Sequence, residues 1–329
     1  MAKPKVYVCR LIPEAALEIV RAVAEMRLWD REDVPPPRDV LLREAADCDG
    51  LLTLLTDRVD AELLSRAPRL RVVGNMAVGF DNIDVAAATA RRVVVTNTPE
   101  VLTETTADFA FTLILAASRR LVEADAFTRA GRWKTWGPLL LAGQDVHHAT
   151  LGLIGVGRIG SAVARRAKGF EMRVIYYDTI RRHDLEQQLG LEFRAMTDVL
   201  CEADIISVHV PLMPETRHLI GAEQFRMMKK TAVFVNAARG PIVDQSALVE
   251  ALRTRTIYAA GLDVFEQEPI SPDDPLLELD NVVLAPHIAS ASIPTRTRMA
   301  TLAAENIAAV LQGKRPPTPV NPEVWERQT

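Results

Sequence analysis

Cysteine, long apolar runs and excess positive charge are all scarce in the sequence, and each absence excludes a class of protein. The three cysteines (Cys9, Cys48 and Cys201) are widely spaced and odd in number, which excludes a disulfide framework and a metal knuckle. The most membrane-like run, residues 109–117, is far shorter than the ~20 residues that a membrane-spanning helix needs. Basic residues number 39 against 43 acidic ones, and no stretch is dense in Lys or Arg, which argues against nucleic acid as a partner.

The rest of the composition is typical of a globular chain. At 329 residues, with 48% apolar and 25% charged residues and a net charge of −4, the chain can form two domains of ordinary size, each with its own core. The first residues, Met-Ala-Lys-Pro-Lys, do not have the pattern of a signal peptide. We therefore expect a cytoplasmic protein that binds neither membranes nor nucleic acid.

Short β-branched segments alternate with amphipathic helical segments along most of the chain. This alternation predicts an α/β fold with two Rossmann-like, doubly wound parallel sheets. The predicted strands are residues 6–10, 50–55, 71–76 and 93–97 in a first series, and 149–155, 173–178, 205–210, 232–237, 258–264 and 282–285 in a second. Helical spacing predicts a helix over 14–25, one long helix over 103–129, and a last helix over 293–311 that returns to the first series.

A loop with bulky apolar side chains follows the long helix. Residues 131–143 include Trp133, Trp136 and Pro138. Such a loop either packs on its own domain or contacts a second copy of the chain, and composition alone favours neither.

A glycine-rich segment, Gly155-Val-Gly157-Arg-Ile-Gly160, lies between a predicted strand and a predicted helix. In a G-x-G-x-x-G pattern the first glycine permits a tight turn, the second lets the backbone approach a pyrophosphate, and the third lets the helix pack against the strand. Asp178 ends the next strand, where a carboxylate hydrogen-bonds ribose hydroxyls and repels a 2′-phosphate. The segment therefore favours NAD over NADP, with Arg181 and Arg182 interpreted as a solvated turn; the alternative is that they reach a 2′-phosphate and favour NADP.

Three polar side chains follow predicted strands of the second series, at the edge where open α/β sheets bind ligands: Arg239, Glu268 and His287. A guanidinium can hold a substrate carboxylate through two parallel hydrogen bonds. An imidazole can give or take a hydroxyl proton near neutral pH, and a neighbouring carboxylate orients the ring and stabilises its charged form. Each residue alone could be structural, but together they meet the requirements of hydride transfer to a 2-oxo acid.

The chain closely resembles the D-isomer-specific 2-hydroxyacid dehydrogenases, and within them the glyoxylate/hydroxypyruvate reductase branch. The resemblance covers Val6 to Trp325. It rests on five motifs in the family's order: Asn75-Met-Ala-Val-Gly-Phe-Asp-Asn-Ile-Asp84, Gly155–Gly160, Asn236-Ala-Ala-Arg-Gly240, Gly261-Leu-Asp-Val-Phe-Glu-Gln-Glu-Pro269 and Pro286-His-Ile-Ala-Ser290. It implies a homodimer whose NAD-binding Rossmann domain is residues 101–289 and whose discontinuous substrate domain is residues 1–100 and 290–329.

The resemblance also implies a role for each matching residue. Arg239 would bind the substrate carboxylate, and His287, paired with Glu268, would protonate the carbonyl oxygen. The substrate would further meet Leu55, Val78, Gly79, Ser290 and Trp136, the last of which reaches into the partner subunit's site in similar enzymes and makes the 131–143 loop a dimer contact. The nicotinamide cofactor would be bound by Thr106, Gly155, Gly157, Arg158, Ile159, Gly160, Asp178, Pro211, Thr216, Ala237, Asp263 and His287. No metal is implied.

Two positions depart from the family pattern. Ala289 stands where the family usually has Gly, which adds one methyl group beside the nicotinamide. Asp178-Thr179 stands where NADPH-preferring reductases of this branch carry a neutral residue followed by Arg, which again favours NAD over NADP. The branch that the chain resembles implies the reaction, which is reduction of glyoxylate and hydroxypyruvate to glycolate and D-glycerate.

Other functions stay open on sequence alone. The pocket residues Leu55, Val78 and Gly79 are small or apolar, which suits a short 2-oxo acid, but the sequence does not exclude another D-2-hydroxy acid such as lactate. Phosphite is disfavoured because phosphite dehydrogenases carry a lysine at the position of Val78. An NAD-sensing, corepressor-like binding protein keeps the Arg, Glu and His set, so turnover with a 2-oxo acid is what distinguishes it from an enzyme.

Overall fold

The computed structural model describes residues 3–326 and divides into two compact units. One unit consists of Met1–Leu102 and Ala291–Thr329, and the other of Thr103–Ser290. Each is built on one parallel β-sheet with helices packed against it, which confirms the predicted α/β class. Within the described residues, every helix is too short or too polar to cross a bilayer.

Residues 3–102 supply a five-stranded sheet and four helices of the first unit. The strands are β1 (Lys5–Val8), β2 (Glu25–Leu28), β3 (Gly50–Thr53), β4 (Val72–Asn75) and β5 (Val94–Thr96), and the helices are α1 (Glu14–Val23), α2 (Arg38–Ala45), α3 (Ala61–Arg66) and α4 (Val85–Ala90). The strand order is β2-β1-β3-β4-β5, with all neighbours parallel. Every residue of β3, β4 and β5 is buried, as expected for parallel strands covered on both faces.

The second unit contains a seven-stranded parallel sheet. The strands are β6 (Thr150–Ile154), β7 (Arg173–Tyr177), β8 (Glu192–Phe193), β9 (Ile205–Val208), β10 (Val233–Asn236), β11 (Ala259–Leu262) and β12 (Val282–Leu284), and the helices are α5 (Thr103–Ser118), α6 (Leu121–Arg129), α7 (Arg158–Ala167), α8 (His183–Leu189), α9 (Met196–Glu202), α10 (Ala222–Met227) and α11 (Gln245–Arg253). The order is β12-β11-β10-β9-β6-β7-β8, so the direction of winding reverses at β6. Open α/β sheets bind their ligands outside the carboxyl ends of the strands at such a reversal.

The chain then returns to the first unit through α12 (Ile293–Leu311) and α13 (Pro322–Glu326). Helix α12 packs against α1 and β4. It lies so close to β4 that a Cβ on Gly74 would be 2.8 Å from side-chain carbons of Ile307. Farther along, buried Asn321 accepts from the N–H of Val95 at 2.8 Å and donates to the carbonyl oxygen of Val93 at 3.0 Å. The last segment is therefore bound to the sheet edge at β5.

Short polar side chains begin several of these helices. Asp60, Asp84, Asp244 and Ser292 each accept a hydrogen bond from the backbone N–H three residues later. Each bond satisfies one of the N–H groups that the first turn of a helix leaves without a partner. Helix boundaries are thus encoded locally, and the last helix spans 293–311 as the sequence predicts.

The single helix predicted over 103–129 is wrong, because two helices occupy this segment. Helix α5 ends at Ser118, and Arg120 has a left-handed backbone with a φ of +52°. The carbonyl oxygen of Ser118 accepts the N–H of Gln144 at 2.9 Å, and a Cβ on Gly143 would lie 2.3 Å from that oxygen. A distant segment thus closes the end of α5, and no local glycine or proline marks the break.

Two strands were not predicted, and both lie at a sheet edge. The predicted helix over 14–25 ends at Val23, and β2 begins at Glu25. Strand β8 has only two residues. No residue of either strand is fully buried, so neither carries the continuous apolar run that a sequence pattern can detect.

Candidate active site

The glycine-rich turn joins β6 to α7. Gly155 has a φ of +91°, and a Cβ there would lie 3.0 Å from the carbonyl oxygen of His209, so both backbone conformation and space require glycine. A Cβ on Gly160 would lie 2.2 Å from the carbonyl oxygen of Gly155, which explains the third glycine by close packing of helix on turn. A Cβ on Gly157 would meet no heavy atom within 4 Å. Gly157 therefore leaves an open cradle that a side chain would fill.

The cradle lies at the N-terminus of α7, whose first two residues are Arg158 and Ile159. In the described chain, no side chain caps this helix end. The N-terminal N–H groups and the positive end of the helix dipole attract an anion. The open glycine and the uncapped helix together fit the pyrophosphate of a dinucleotide.

Asp178 follows β7 beside this turn. Its Oδ2 accepts the N–H of Val156 at 2.8 Å, so the glycine turn holds the carboxylate in place. Arg181 pairs with Glu186 at 2.8 Å and Arg182 with Asp184 at 2.7 Å. Both arginines are therefore paired with carboxylates of the same turn, and Arg182 also donates to the carbonyl oxygen of Val156 in the glycine turn at 3.2 Å.

His209 follows β9 and contacts the glycine turn from the other side. Its backbone N–H donates to the carbonyl oxygen of Ile154 at 2.8 Å, and its ring Nε2 lies 2.9 Å from Oγ of Ser207. Burial lowers the pKa of His209 to about 4. The sequence analysis did not single out this residue, because a lone histidine after a strand has no distinctive pattern.

Acidification is expected to destabilise the second unit through His209. Because its folded-state pKa lies below the ordinary value of 6.5, its contribution to folding is complete above about pH 6.5 and is lost as the pH falls towards about 4. The change in the free energy of unfolding is worth about 3 kcal/mol. Urea unfolding at several pH values should give a flatter pH dependence for His209→Gln than for the wild type, and parallel curves would contradict the assignment.

Arg239, Glu268 and His287 follow the neighbouring strands β10, β11 and β12 at their carboxyl ends. Nδ1 of His287 lies 2.7 Å from Oε2 of Glu268, and each side chain is about a quarter exposed. Burial alone would raise the pKa of the Glu268 carboxyl, but the hydrogen bond and charge of His287, assisted by Arg239, leave it below its ordinary value. An ionised carboxylate thus orients an accessible imidazole.

Asp263 determines where His287 stands. Its fully buried carboxylate accepts the N–H groups of Ile288 at 2.7 Å and Ala289 at 2.8 Å, and its carbonyl oxygen accepts the N–H of His287 at 2.9 Å. These bonds hold His287 in a left-handed backbone with a φ of +55°. Burial raises the pKa of Asp263. The resemblance gave Asp263 only a cofactor role, whereas the structure adds the positioning of His287.

Asn236, at the end of β10, shapes the loop that carries Arg239. Its side-chain amide donates to the carbonyl oxygen of Arg239 at 2.9 Å and accepts the N–H of Ala238 at 3.0 Å. A Cβ on Gly240 would lie 1.7 Å from the carbonyl oxygen of Phe265, so the Arg239 loop packs directly on the loop that leads to Glu268. The sequence gave no signal for the role of Asn236 beyond its place in a matched motif.

Other predicted cofactor residues lie on the second unit as well. Thr106 is buried in the first turn of α5, and Ala237 is buried immediately after β10. The Thr216 hydroxyl donates to the carbonyl oxygen of Pro211 at 2.7 Å and accepts the N–H of Met213 at 2.8 Å, which closes the loop after β9. Ser290, which was predicted to meet the substrate, is half-buried three residues after His287.

Three predicted substrate residues lie on two loops of the first unit. Leu55 follows β3, and Val78 and Gly79 follow β4; all three are half-buried. The carbonyl oxygens of Val78 and Gly79 accept amide donors from Asn97 at 2.8 Å and Asn75 at 3.0 Å. Among the described residues, neither N–H group has a protein acceptor. These two N–H groups can therefore bind an anionic ligand.

Comparison with known proteins gives one consistent family. The model of the D-isomer specific 2-hydroxyacid dehydrogenase, NAD binding domain, matches residues 111–289. A glyoxylate reductase from Korarchaeum cryptofilum is 57% identical over 98% of this chain and 97% of its own length. An NADPH-dependent glyoxylate/hydroxypyruvate reductase from Sinorhizobium meliloti, solved with NADP and malonate, is similar with a TM-score of 0.83 and 34% identity over 97% of each chain. A glyoxylate reductase from Paecilomyes thermophila is similar with a TM-score of 0.86 and 29% identity over 98% of this chain and all of the other.

Proposed function

Since the chain belongs to the D-isomer-specific 2-hydroxyacid dehydrogenase family and is an NAD(P)-dependent oxidoreductase of its glyoxylate reductase branch, we propose that it reduces glyoxylate and hydroxypyruvate to glycolate and D-glycerate. The observation that carries the proposal is the His287–Glu268 pair on the strand ends next to Arg239. We further propose that residues 101–289 bind the nicotinamide cofactor and that residues 1–100 and 290–329 contribute to substrate binding. High identity to glyoxylate reductases over nearly the whole chain supports the substrate.

The residues divide the chemistry between them. When bound, the reduced nicotinamide supplies a hydride for the carbonyl carbon of the 2-oxo acid. Arg239 binds the substrate carboxylate bidentately, and the backbone N–H groups of Val78 and Gly79 are further donors to the substrate. Nε2 of His287 donates a proton to the carbonyl oxygen as that oxygen gains charge, and Glu268 stabilises the ring while it is charged.

The cofactor is held by the glycine turn and the strand ends around it. The N–H groups of Arg158 and Ile159 would donate to the pyrophosphate beside the cradle at Gly157, and Asp178 would accept hydrogen bonds from the ribose hydroxyls. The family resemblance also assigns the carboxamide of the nicotinamide to Asp263, whose carboxylate is fully buried here and bonded to two N–H groups. As the resemblance implies, we also place four residues beside the cofactor: Thr106, Pro211, Thr216 and Ala237.

The first test is oxidation of NADH and of NADPH, in parallel, with glyoxylate, hydroxypyruvate and pyruvate. We expect NADH with glyoxylate and hydroxypyruvate to give the highest kcat/KM. Turnover of a different 2-oxo acid alone would replace the substrate but keep the mechanism. If no 2-oxo acid is reduced, phosphite oxidation is tested next, and failure there as well favours an NAD-sensing binding protein.

Replacing Asp178 with alanine is expected to raise the ratio of kcat/KM for NADPH to that for NADH by at least about 10-fold, because one like-charge contact costs several kcal/mol. The measurement is steady-state kinetics with both cofactors at constant glyoxylate. Asp198→Ala, which removes an exposed carboxylate from α9 of the same unit, is the control and should leave the ratio unchanged. An unchanged ratio in Asp178→Ala would mean that the arginines at 181–182 decide cofactor choice.

We also propose a homodimer formed through the segment after α6. Trp133, Trp136 and Leu139 are 59%, 78% and 85% exposed, which places three large apolar side chains in water on one short segment. Trp136→Ser combined with Leu139→Ser is expected to shift the sedimenting species from twice the chain mass of 36.3 kDa to that mass itself. A wild-type protein that sediments at the chain mass would exclude the dimer.

We propose a cytoplasmic location because the cysteine thiols are not paired in disulfides. Cys9, Cys48 and Cys201 are all free, and the first two are buried. Unpaired cysteines are typical of proteins in a reducing compartment.

A further inference from the structure

Two loops of the first unit carry all three of its substrate residues. Residues 54–59 follow β3 and include Leu55, and residues 76–84 follow β4 and include Val78 and Gly79. Strands β3 and β4 are neighbours in the sheet, so the loops leave the same edge side by side. What fixes one loop relative to the other therefore fixes the shape of this part of the substrate site.

Asn82 connects the second loop to the first. Its side-chain Nδ2 donates to the carbonyl oxygens of Leu54 at 3.0 Å and Asp57 at 2.9 Å, which flank Leu55 on both sides. The same turn is closed within the loop, where the buried Asp57 carboxylate accepts the N–H of Leu54 at 2.8 Å. Asn82 thus adds two hydrogen bonds from the second loop to a turn that Asp57 closes within the first.

Asn75 completes the connection from the end of β4. Its fully buried side-chain amide donates to the carbonyl oxygen of Gly79 at 3.0 Å and to Oδ1 of Asn82 at 3.3 Å. In return, Nδ2 of Asn82 lies 3.4 Å from Oδ1 of Asn75, which also accepts the hydroxyl of Thr53 at 3.1 Å. The two amides therefore bond to each other, and each also bonds to one substrate loop.

We propose that Asn75 and Asn82 are a positioning pair that fixes Leu55 relative to the backbone of Val78 and Gly79, and that this pair sets which small 2-oxo acids are bound. The inference rests on the proposed function, in which these three residues contact the substrate. Neither asparagine touches substrate in this account; both act through the backbone carbonyl groups that they hold. An amide is suited to this task because it offers donors and an acceptor at once.

Asn82→Ala is the principal variant. Loss of its hydrogen bonds is expected to raise KM for glyoxylate about 10-fold, because residues 54–59 are then no longer fixed to the second loop. We expect kcat to change little, because His287 and Arg239 lie on the other unit. Discrimination between glyoxylate and a longer 2-oxo acid such as 2-oxobutyrate should fall as KM rises. Asn82→Leu, which is close to asparagine in shape but has neither donors nor charge, should have the same effect and serves if the alanine variant does not fold.

Asn321→Ala is the matched control. Asn321 lies in the same unit and makes three comparable side-chain hydrogen bonds, but to β5, its preceding turn and α4. The Asn321→Ala substitution should lower the free energy of unfolding without changing KM for glyoxylate or the discrimination between glyoxylate and 2-oxobutyrate. Equal changes in the Asn82 and Asn321 variants, or unchanged KM and discrimination in a folded Asn82 variant, would overturn the proposal.

Hydrogen exchange without ligand separates this inference from the proposed function. In Asn82→Ala, amides of residues 54–59 should exchange faster than in the wild type, although the substitution lies in the other loop. In Asn321→Ala they should not. If the wild type reduces no 2-oxo acid, the proposed function fails while the exchange result still tests the pair. If the wild type reduces glyoxylate and residues 54–59 exchange at the wild-type rate in Asn82→Ala, only the pair fails.

Discussion

Replacing His287 with asparagine is expected to lower kcat for glyoxylate reduction by about 10²–10⁴-fold, the usual contribution of a positioned general acid. Asparagine can still donate to Glu268, so the loop held by Asp263 keeps its hydrogen bonds, but it cannot deliver a proton to the substrate oxygen. The measurement is kcat under saturating NADH, together with the Kd of NADH from fluorescence titration. We expect the Kd to change little.

The control for this substitution is His183→Asn. His183 is an exposed histidine at the start of α8 in the same unit, and its replacement should leave kcat unchanged. If His287→Asn weakens NADH binding as much as it lowers kcat, His287 is a cofactor residue and the proton donor must be sought elsewhere.

Replacing Arg239 with glutamine is expected to lower kcat/KM for glyoxylate by about 10²–10³-fold, which corresponds to about 3–4 kcal/mol for an unpaired carboxylate in a shielded site. Arg239→Lys should recover only part of the loss, since an ammonium keeps the charge but cannot form two parallel hydrogen bonds. Steady-state kinetics of both variants give the two values.

A substrate without a carboxylate tests the assigned role directly. With glycolaldehyde, Arg239→Gln and the wild type should have similar, low kcat/KM, because the carboxylate that Arg239 binds is missing from both reactions. Arg255→Gln, at an exposed arginine paired with Asp280, is the control for general effects of charge removal. A loss of equal size with glycolaldehyde would show that Arg239 acts on the fold or on Glu268 rather than on the substrate.

The parts of the fold that the sequence predicts are those encoded locally. Continuous buried strands such as β3 and capped helices such as α12 carry their own apolar pattern and start signals. The break between α5 and α6 is different, because it depends on the hydrogen bond between Ser118 and Gln144, 26 residues apart. The edge strands β2 and β8 are set by their neighbours in the sheet and not by their own composition.

The candidate site divides in the same way. The residue types of Arg239, Glu268 and His287 and their places after strands are visible in the sequence, and the structure puts the last two in contact. The second carboxylate, Asp263, acts through backbone N–H groups 25 and 26 residues away. Such bonds exist only once the sheet has brought the strand ends together, so sequence patterns identify reacting groups more readily than the groups that position them.

The discontinuity of the first unit has a consequence for synthesis on the ribosome. Helix α12, which covers Gly74 on β4, leaves the ribosome only after residues 103–290 have been made. At about 5–20 residues per second, these ~190 residues take about 10–40 s. Throughout that interval the nascent first unit lacks the helix that covers its sheet, and the second unit is complete in sequence before that helix is made. We therefore expect the second unit to complete its fold before the first, which reverses the usual order in which the N-terminal unit of a chain folds first.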